Sequence, residues 1–154
     1  MRPKLTADEV ADYLIALAHR RGETVNNLKL QKLLYYAQAW YLAEYDRPLF
    51  DARFEAWMSG PVIPAIYWRF KPFSIRPLPV AAEIPVLDPH TATFLDEIVS
   101  EYLPWTEWEL HWQTHGEAPW QNARGNLDPS EPCTAELSED DMRAYFRNVS
   151  DAAA

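Results

Sequence analysis

The sequence predicts a mainly α-helical protein, a compact single-domain bundle built around one central hydrophobic helix. The chain has 154 residues, which suits one domain, and its 48% apolar and 24% charged residues are ordinary for a globular protein. None of the 13 prolines lies between Pro3 and Pro48 or after Pro132, so long stretches are free to form helices. We therefore expect one domain over residues 1–150 and a short C-terminal tail over 151–154.

The first helix is predicted over residues 7–21. Thr6 and Glu9 have the spacing of a capping box, and Gly22 stands where a left-handed residue would end the helix. Apolar side chains between these signals recur at helical intervals: Val10, Tyr13, Leu14, Leu17 and Ala18.

The second helix, over residues 27–45, is predicted to be the central one. Asn26 or Asn27 can cap its start. Apolar side chains occupy most of its circumference and leave a narrow polar strip around Lys29, Lys32 and Tyr36. A helix that is apolar nearly all round belongs in the interior of a bundle.

A third long helix is predicted from Asp88 and Pro89, an N-cap followed by a first-turn proline, to just before Pro104. Shorter helices are predicted over residues 61–70, 106–114 and 138–148. The side chains alternate over residues 54–58, and the proline-rich residues 74–80 are extended. These two segments are compatible with a small two-stranded β-ribbon, which the sequence does not establish.

Charge and cysteine content limit the classes of function. The net charge of −9 has the wrong sign for a protein that binds nucleic acid on its own. Cys133 is the single cysteine, and the N-terminal residues turn acidic where a signal peptide would be apolar. The apolar segment 33–42 is too short to cross a membrane. We expect a cytoplasmic protein that has no membrane partner.

Catalytic patterns are weak. His111 and His115 have the i, i+4 spacing of two zinc ligands on a helix, but Trp112 stands where a zinc protease has its glutamate. Cys133 has no basic neighbour, and the four glycines are too scattered for a phosphate-binding loop. We expect no catalytic, metal-binding or cofactor-binding residues, and so no enzyme. A small metal-dependent enzyme using His111 and His115 is the alternative, and a transcriptional regulator is a weaker one.

Aromatic residues are the unusual feature of the composition. The chain contains 7 Trp, 8 Tyr and 6 Phe. A small domain cannot bury all seven indoles, and exposed indoles are typical of protein interfaces. The sequence therefore favours a protein-binding function.

The segment L-K-L-Q-K-L-L-Y-Y-A-Q-A-W-Y-L at residues 28–42 resembles the hallmark helix of the Panacea domain family. The resemblance continues, in the family's order and spacing, through P-L-F-D at 48–51, F-E-A-W at 54–57, G-P-V-I-P at 60–64 and Y-W-R-F-K at 67–71. T-H-G-E-A-P-W at 114–120 is similar to the family's T-H-x-x-x-P-W element. The family includes SocA-like antitoxins and GepA-like phage-associated proteins.

The resemblance implies an antitoxin of a bacterial or phage toxin–antitoxin pair. Such a protein binds a cognate toxin and neutralises it, in some members as a proteolytic adaptor that delivers the toxin to a AAA+ protease. The expected partners are therefore the toxin and, for an adaptor, the protease.

Most residues of the family motifs are expected to be structural. They are Leu30, Gln31, Leu33, Leu34, Tyr35, Gln38, Trp40, Gly60, Pro61, Val62, Tyr67, Thr114, His115, Pro119 and Trp120. The amides of Gln31 and Gln38 need partners in a buried helix. Either they bind backbone within the domain, which we favour, or they line a groove that a partner enters.

The hypothetical partner-binding surface combines the polar strip with nearby aromatic and basic residues. Its members are Lys29, Lys32, Tyr36, Trp57, Trp68, Arg69 and Phe73. An exposed ring beside a cation is typical of a binding hot spot. The rival interpretation pairs the two lysines with surface carboxylates and places Trp57 in the core.

Overall fold

The computed structural model describes residues 5–153 and confirms the mainly α-helical fold. Seven α-helices lie within this range: α1 (Ala7–Arg20), α2 (Asn27–Tyr45), α3 (Pro64–Phe70), α4 (Pro89–Tyr102), α5 (Glu107–His115), α6 (Ala118–Arg124) and α7 (Glu139–Ala153). Four short strands accompany them: β1 (Leu5–Thr6), β2 (Phe50–Asp51), β3 (Glu55–Trp57) and β4 (Gly60–Val62). None of the helices in the described range is both long and apolar enough to cross a membrane.

The helix boundaries follow the local signals in the sequence. Thr6 and Glu9 form the capping box of α1, and Gly22 adopts a left-handed φ of 76° just beyond its end. Asn26 caps α2 by accepting from the backbone N–H of Lys29. A second capping box joins Thr106 and Glu109 at the start of α5.

Helix α2 is the centre of the bundle, as predicted. It contacts α1, α4, α5 and α7, and its side chains from Leu30 to Ala39 are buried on every face. The Tyr36 ring stacks on Tyr102 of α4 with centroids 3.9 Å apart, and Phe146 of α7 meets it edge-on. Neighbours on all sides explain why this helix is apolar nearly all round.

The structure differs from the sequence prediction around residues 54–64. Helix α3 begins at Pro64 rather than at residue 61, because Gly60–Val62 pairs antiparallel with Glu55–Trp57. A two-stranded ribbon therefore exists, whereas residues 74–80 form no strand. The chain also forms a short parallel pair of β1 with β2, which the sequence did not predict.

The C-terminal helix is longer than predicted. Helix α7 continues to Ala153 rather than ending near residue 148, so residues 151–153 are helical. No helix-breaking residue lies in this segment, since the last proline is Pro132.

Candidate functional site

The β3–β4 hairpin is held in place by side chains from three helices. Four consecutive carbonyl oxygens of the hairpin, from Ala56 to Ser59, each face a side-chain nitrogen at 2.7–2.9 Å. From the carbonyl of Ala56 to that of Ser59, the partners are in turn Arg124 Nη1, Trp120 Nε1, His115 Nε2 and Lys32 Nζ. Because each carbonyl has its own partner, the hairpin is rigid relative to α2, α5 and α6.

Gly60 allows this close packing. Its φ of 114° lies in a region that residues with a side chain rarely adopt. A Cβ at this position would lie 3.1 Å from Thr114 Oγ1 and 3.6 Å from Lys32 Cε. The glycine therefore brings the hairpin backbone against α2 and α5.

Lys32 is a buried cation beneath the hairpin. The residue is 2% exposed, and its ammonium donates to the carbonyl of Ser59 at 2.9 Å. Burial lowers the pKa of Lys32 to about 8, although Glu107 opposes the shift. Lys29 is half-buried and donates to the carbonyl of Leu103 at 2.7 Å.

Glu117 is a buried acid that the sequence analysis missed. Its carboxylate oxygens accept from Tyr35 Oη at 3.0 Å and from Tyr36 Oη at 3.1 Å. Burial raises the pKa of Glu117 to about 7, while the two tyrosine hydroxyls act in the opposite direction. Glu117 lies inside the T-H-G-E-A-P-W element, two residues before Pro119, and this position in the motif could have identified it from the sequence.

The expected polar strip on α2 is not an open surface, because the structure buries two of its three side chains. Lys32 and Tyr36 are both buried, because the hairpin covers the lysine and α4 and α7 enclose the tyrosine. Lys29 is bound to the end of α4. Helical spacing located these side chains on one face but could not show what packs against that face.

The two buried glutamines bind within the domain, which confirms the favoured alternative. Gln38 accepts from the backbone N–H groups of Leu49 and Phe50 and donates to the Phe50 carbonyl. Gln31 accepts from the N–H of Ile63 and donates to Asn27. Both amides therefore fix the chain that leads into and out of the hairpin.

His111 and His115 stack with ring centroids 4.0 Å apart. The two ring nitrogens of His115 face the carbonyls of His111 and Met58, at 2.6 and 2.7 Å. Burial lowers the pKa of His115, and the two backbone contacts oppose this shift. No cluster of three or more potential metal ligands occurs in the part of the chain that the structure describes. The histidines position the hairpin.

The other hypothetical binding residues lie beside the hairpin. Trp57 is half-buried and packs edge-on against Tyr67, with centroids 4.9 Å apart. Trp68 is 59% exposed. Arg69 pairs with Asp8 and Asp12 of α1, and Phe73 is half-buried against Phe70.

The remaining family-motif residues have structural positions. Trp40 and Tyr67 are half-buried, and the others are buried: Leu30, Leu33, Leu34, Tyr35, Gly60, Pro61, Val62, Thr114, Pro119 and Trp120.

Residues 30–121 match the family described as antitoxin SocA-like, Panacea domain. The chain belongs to this family. Its matched segment runs from α2 into α6 and contains the hairpin with three of its four partners, whereas Arg124 lies just beyond it. The rigid hairpin is therefore mostly built from the Panacea domain itself.

A curated relative of this Panacea domain is antitoxin SocA of Caulobacter vibrioides (strain NA1000 / CB15N), which is 42% identical over 75 residues. The match covers 44% of this chain and 40% of the relative, so it spans less than half the length of that protein. No solved structure matches the chain.

Two exposed indoles on α5 of the Panacea domain were not among the expected binding residues. Trp108 is 66% and Trp112 is 68% exposed, and Met58 at the hairpin tip is also exposed. Leu110 and Thr114 are the buried positions of α5, so helical spacing turns residues 108 and 112 outward. The sequence of α5 alone does not show this orientation, because Trp108, Leu110 and Trp112 are all apolar.

Ring contacts and one hydrogen bond connect the exposed indoles of α5 with the exposed indole of α3. His111 contacts both Trp108 and Trp112, and His115 packs on Trp120, whose indole nitrogen donates to the Trp57 carbonyl. From Trp57 the contacts continue through Tyr67 to Trp68. We call this series the aromatic band: Trp108, His111, Trp112, His115, Trp120, Trp57, Tyr67 and Trp68.

Proposed function

We propose that this chain is an antitoxin that binds a cognate toxin protein directly and neutralises it through the aromatic band. Membership of an antitoxin family supports this role. The observation that carries the proposal is that Trp68, Trp108 and Trp112 are each more than half exposed around a rigid hairpin. Tryptophan is enriched among the residues that dominate the energy of protein interfaces.

Rigidity of the hairpin favours tight binding. The hairpin carbonyls are held by side chains from α2, α5 and α6, so little conformational freedom remains to be lost on binding. The net charge of −9 would also speed association with a basic partner.

The two alternatives from the sequence have less support. Both ring nitrogens of His115 face backbone carbonyls, which leaves neither directed toward a metal shared with His111. The strongly acidic charge opposes binding to DNA by a transcriptional regulator.

Growth rescue tests the proposal. Cells expressing the toxic product of the neighbouring reading frame should grow when this chain is co-expressed, and should die when it carries Trp108→Ala and Trp112→Ala. The control is Ile75→Ala with Val86→Ala, which also removes two exposed apolar side chains but lies outside the band. Death of cells carrying the unaltered chain would reject the antitoxin role, and full rescue by the double tryptophan variant would reject the aromatic band.

Neutralisation can occur by sequestration or by delivery of the bound toxin to a AAA+ protease. The half-life of the toxin in rescued cells separates the two. An adaptor shortens this half-life, and the effect disappears when the protease is removed. Sequestration leaves the toxin stable and bound in a complex of fixed stoichiometry.

Charge reversal at Lys32 is unsuitable as a test of binding. A glutamate in its place would bury a carboxylate against the Ser59 carbonyl and would unfold the hairpin region.

A further inference from the structure

A second surface feature is lined by none of the residues of the aromatic band. A groove of about 400 Å³ runs between α2 and α4 and reaches Gln113 of α5 and Val149 of α7. Its floor is apolar and aromatic, and includes Trp40, Ile98 and Tyr102. Three exposed carboxylates stand along it: Glu44, Glu97 and Glu101. We call this feature the acidic groove.

The carboxylates of the acidic groove have no cationic partner among residues 5–153. Within residues 5–153, no lysine or arginine lines the groove, and none of the three glutamates forms an ion pair. Basic side chains that reach the ends of these helices are engaged elsewhere. Lys29 donates to the Leu103 carbonyl, and Arg147 binds the Ala43 carbonyl and Asp46.

Two of the glutamates occupy positions that are unfavourable in the isolated domain. Glu97 and Glu101 are four residues apart on α4, where like charges repel. Glu101 also lies in the last turn of α4, at the negative end of the helix dipole. A cation supplied from outside the domain would relieve both effects.

We propose that the acidic groove binds an amphipathic segment of the toxin, with large apolar side chains on one face and lysines or arginines beside them. The apolar floor accepts the apolar side chains, as in recognition of a helix by a groove, and the three glutamates pair with the basic ones. The identity of the partner rests on the proposed antitoxin function, but the preference of the groove for basic amphipathic peptides does not.

A matched pair of charge-reversal variants tests the groove. Glu97→Lys with Glu101→Lys alters the groove, and Glu83→Lys with Glu131→Lys changes the net charge equally at exposed positions outside it. The groove variant should melt at or above the temperature of the parent, because a lysine at position 101 suits the end of a helix. A groove variant that melts well below the parent would show that these glutamates stabilise the fold, and would overturn the proposal.

The first arm uses a displayed library of random peptides, selected on the unaltered chain. Enriched peptides should carry paired lysines or arginines beside bulky apolar residues, and should bind the groove variant at least about tenfold more weakly than the control variant. Enrichment of peptides without this pattern, or equal binding to both variants, would overturn the proposal.

The second arm uses the toxin in the growth assay. If the control variant rescues and the groove variant does not, the toxin supplies the segment. If both rescue equally, the toxin does not use the groove and the proposal fails while the antitoxin role stands. If the unaltered chain also fails to rescue, the antitoxin function is rejected, and so is the toxin as the partner of the groove. The peptide arm alone then tests whether the groove prefers basic amphipathic peptides.

Discussion

At the scale of single residues, the sequence predicted that the buried glutamines of α2 bind backbone. It did not predict which polar side chains are buried by parts of the chain that are distant in sequence. Gln31 and Gln38 were expected to bind backbone because amides in a buried helix must be satisfied, and they do. Lys32 was placed on a surface because helical spacing cannot show that a distant hairpin covers it. Glu117 was missed because its burial depends on Tyr35 and Tyr36, about 80 residues away in the chain.

The raised pKa of Glu117 predicts a pH dependence of stability. Between its ordinary value of 4.5 and about 7, the folded protein keeps the proton and the unfolded chain loses it. The free energy of unfolding should therefore fall by about 3 kcal/mol as pH rises through this window, and stay at the lower level above it. Glu117→Gln has no such proton to lose, so its profile should be flatter in urea denaturation from pH 4.5 to 8.

The control for this measurement is Glu83→Gln, at an exposed position. It should keep the slope of the parent protein. An unchanged slope in Glu117→Gln would show that the buried acid is not the group responsible.

At the scale of elements, long helices were predictable and the hairpin was only partly so. Caps at Thr6, Asn26 and Asp88 mark three helix starts from local chemistry alone. Gly60 and Pro61 were expected to turn directly into a helix, yet they begin strand β4. Strands of three residues have little intrinsic stability, and side chains from α2, α5 and α6 hold this hairpin.

Two glycine substitutions test the packing of the hairpin. Gly60→Ala should lower the free energy of unfolding by about 2–4 kcal/mol, because it combines an unfavourable φ with a Cβ only 3.1 Å from Thr114 Oγ1. Gly22→Ala also has a positive φ but nothing within 4 Å, so it should lose only about 1 kcal/mol. Chemical denaturation of both variants measures the difference in the free energy of unfolding. Equal losses would show that the close approach at Gly60 does not contribute to stability.

At the scale of the whole molecule, the fold class and the central helix followed from the sequence. The proline-free stretches and the nearly complete apolar circumference of α2 were sufficient for both. Composition also indicated exposed aromatic rings, but not which ones. Trp108 and Trp112 are exposed because α5 packs through Leu110 and Thr114, and that orientation depends on tertiary contacts.

Leu34 tests the central position of α2. The side chain is fully buried, so Leu34→Asp should remove several kcal/mol, comparable to the stability of a small domain, and leave no cooperative melt. Leu127→Asp is the control, because Leu127 is exposed, and it should shift the melting temperature by a few degrees at most. A cooperative melt of Leu34→Asp close to that of the parent would contradict the central assignment of this helix.

The affinity of the purified chain for the neighbour-encoded toxin tests the central claim most directly. Titration calorimetry should show saturable binding at a fixed stoichiometry. Because two exposed indoles at an interface can each contribute about 2 kcal/mol, Trp108→Ala with Trp112→Ala should weaken binding roughly a thousandfold without altering the melt. Binding by the double variant that equals the parent's would contradict the role of the aromatic band, and the absence of any binding by the parent would contradict direct neutralisation.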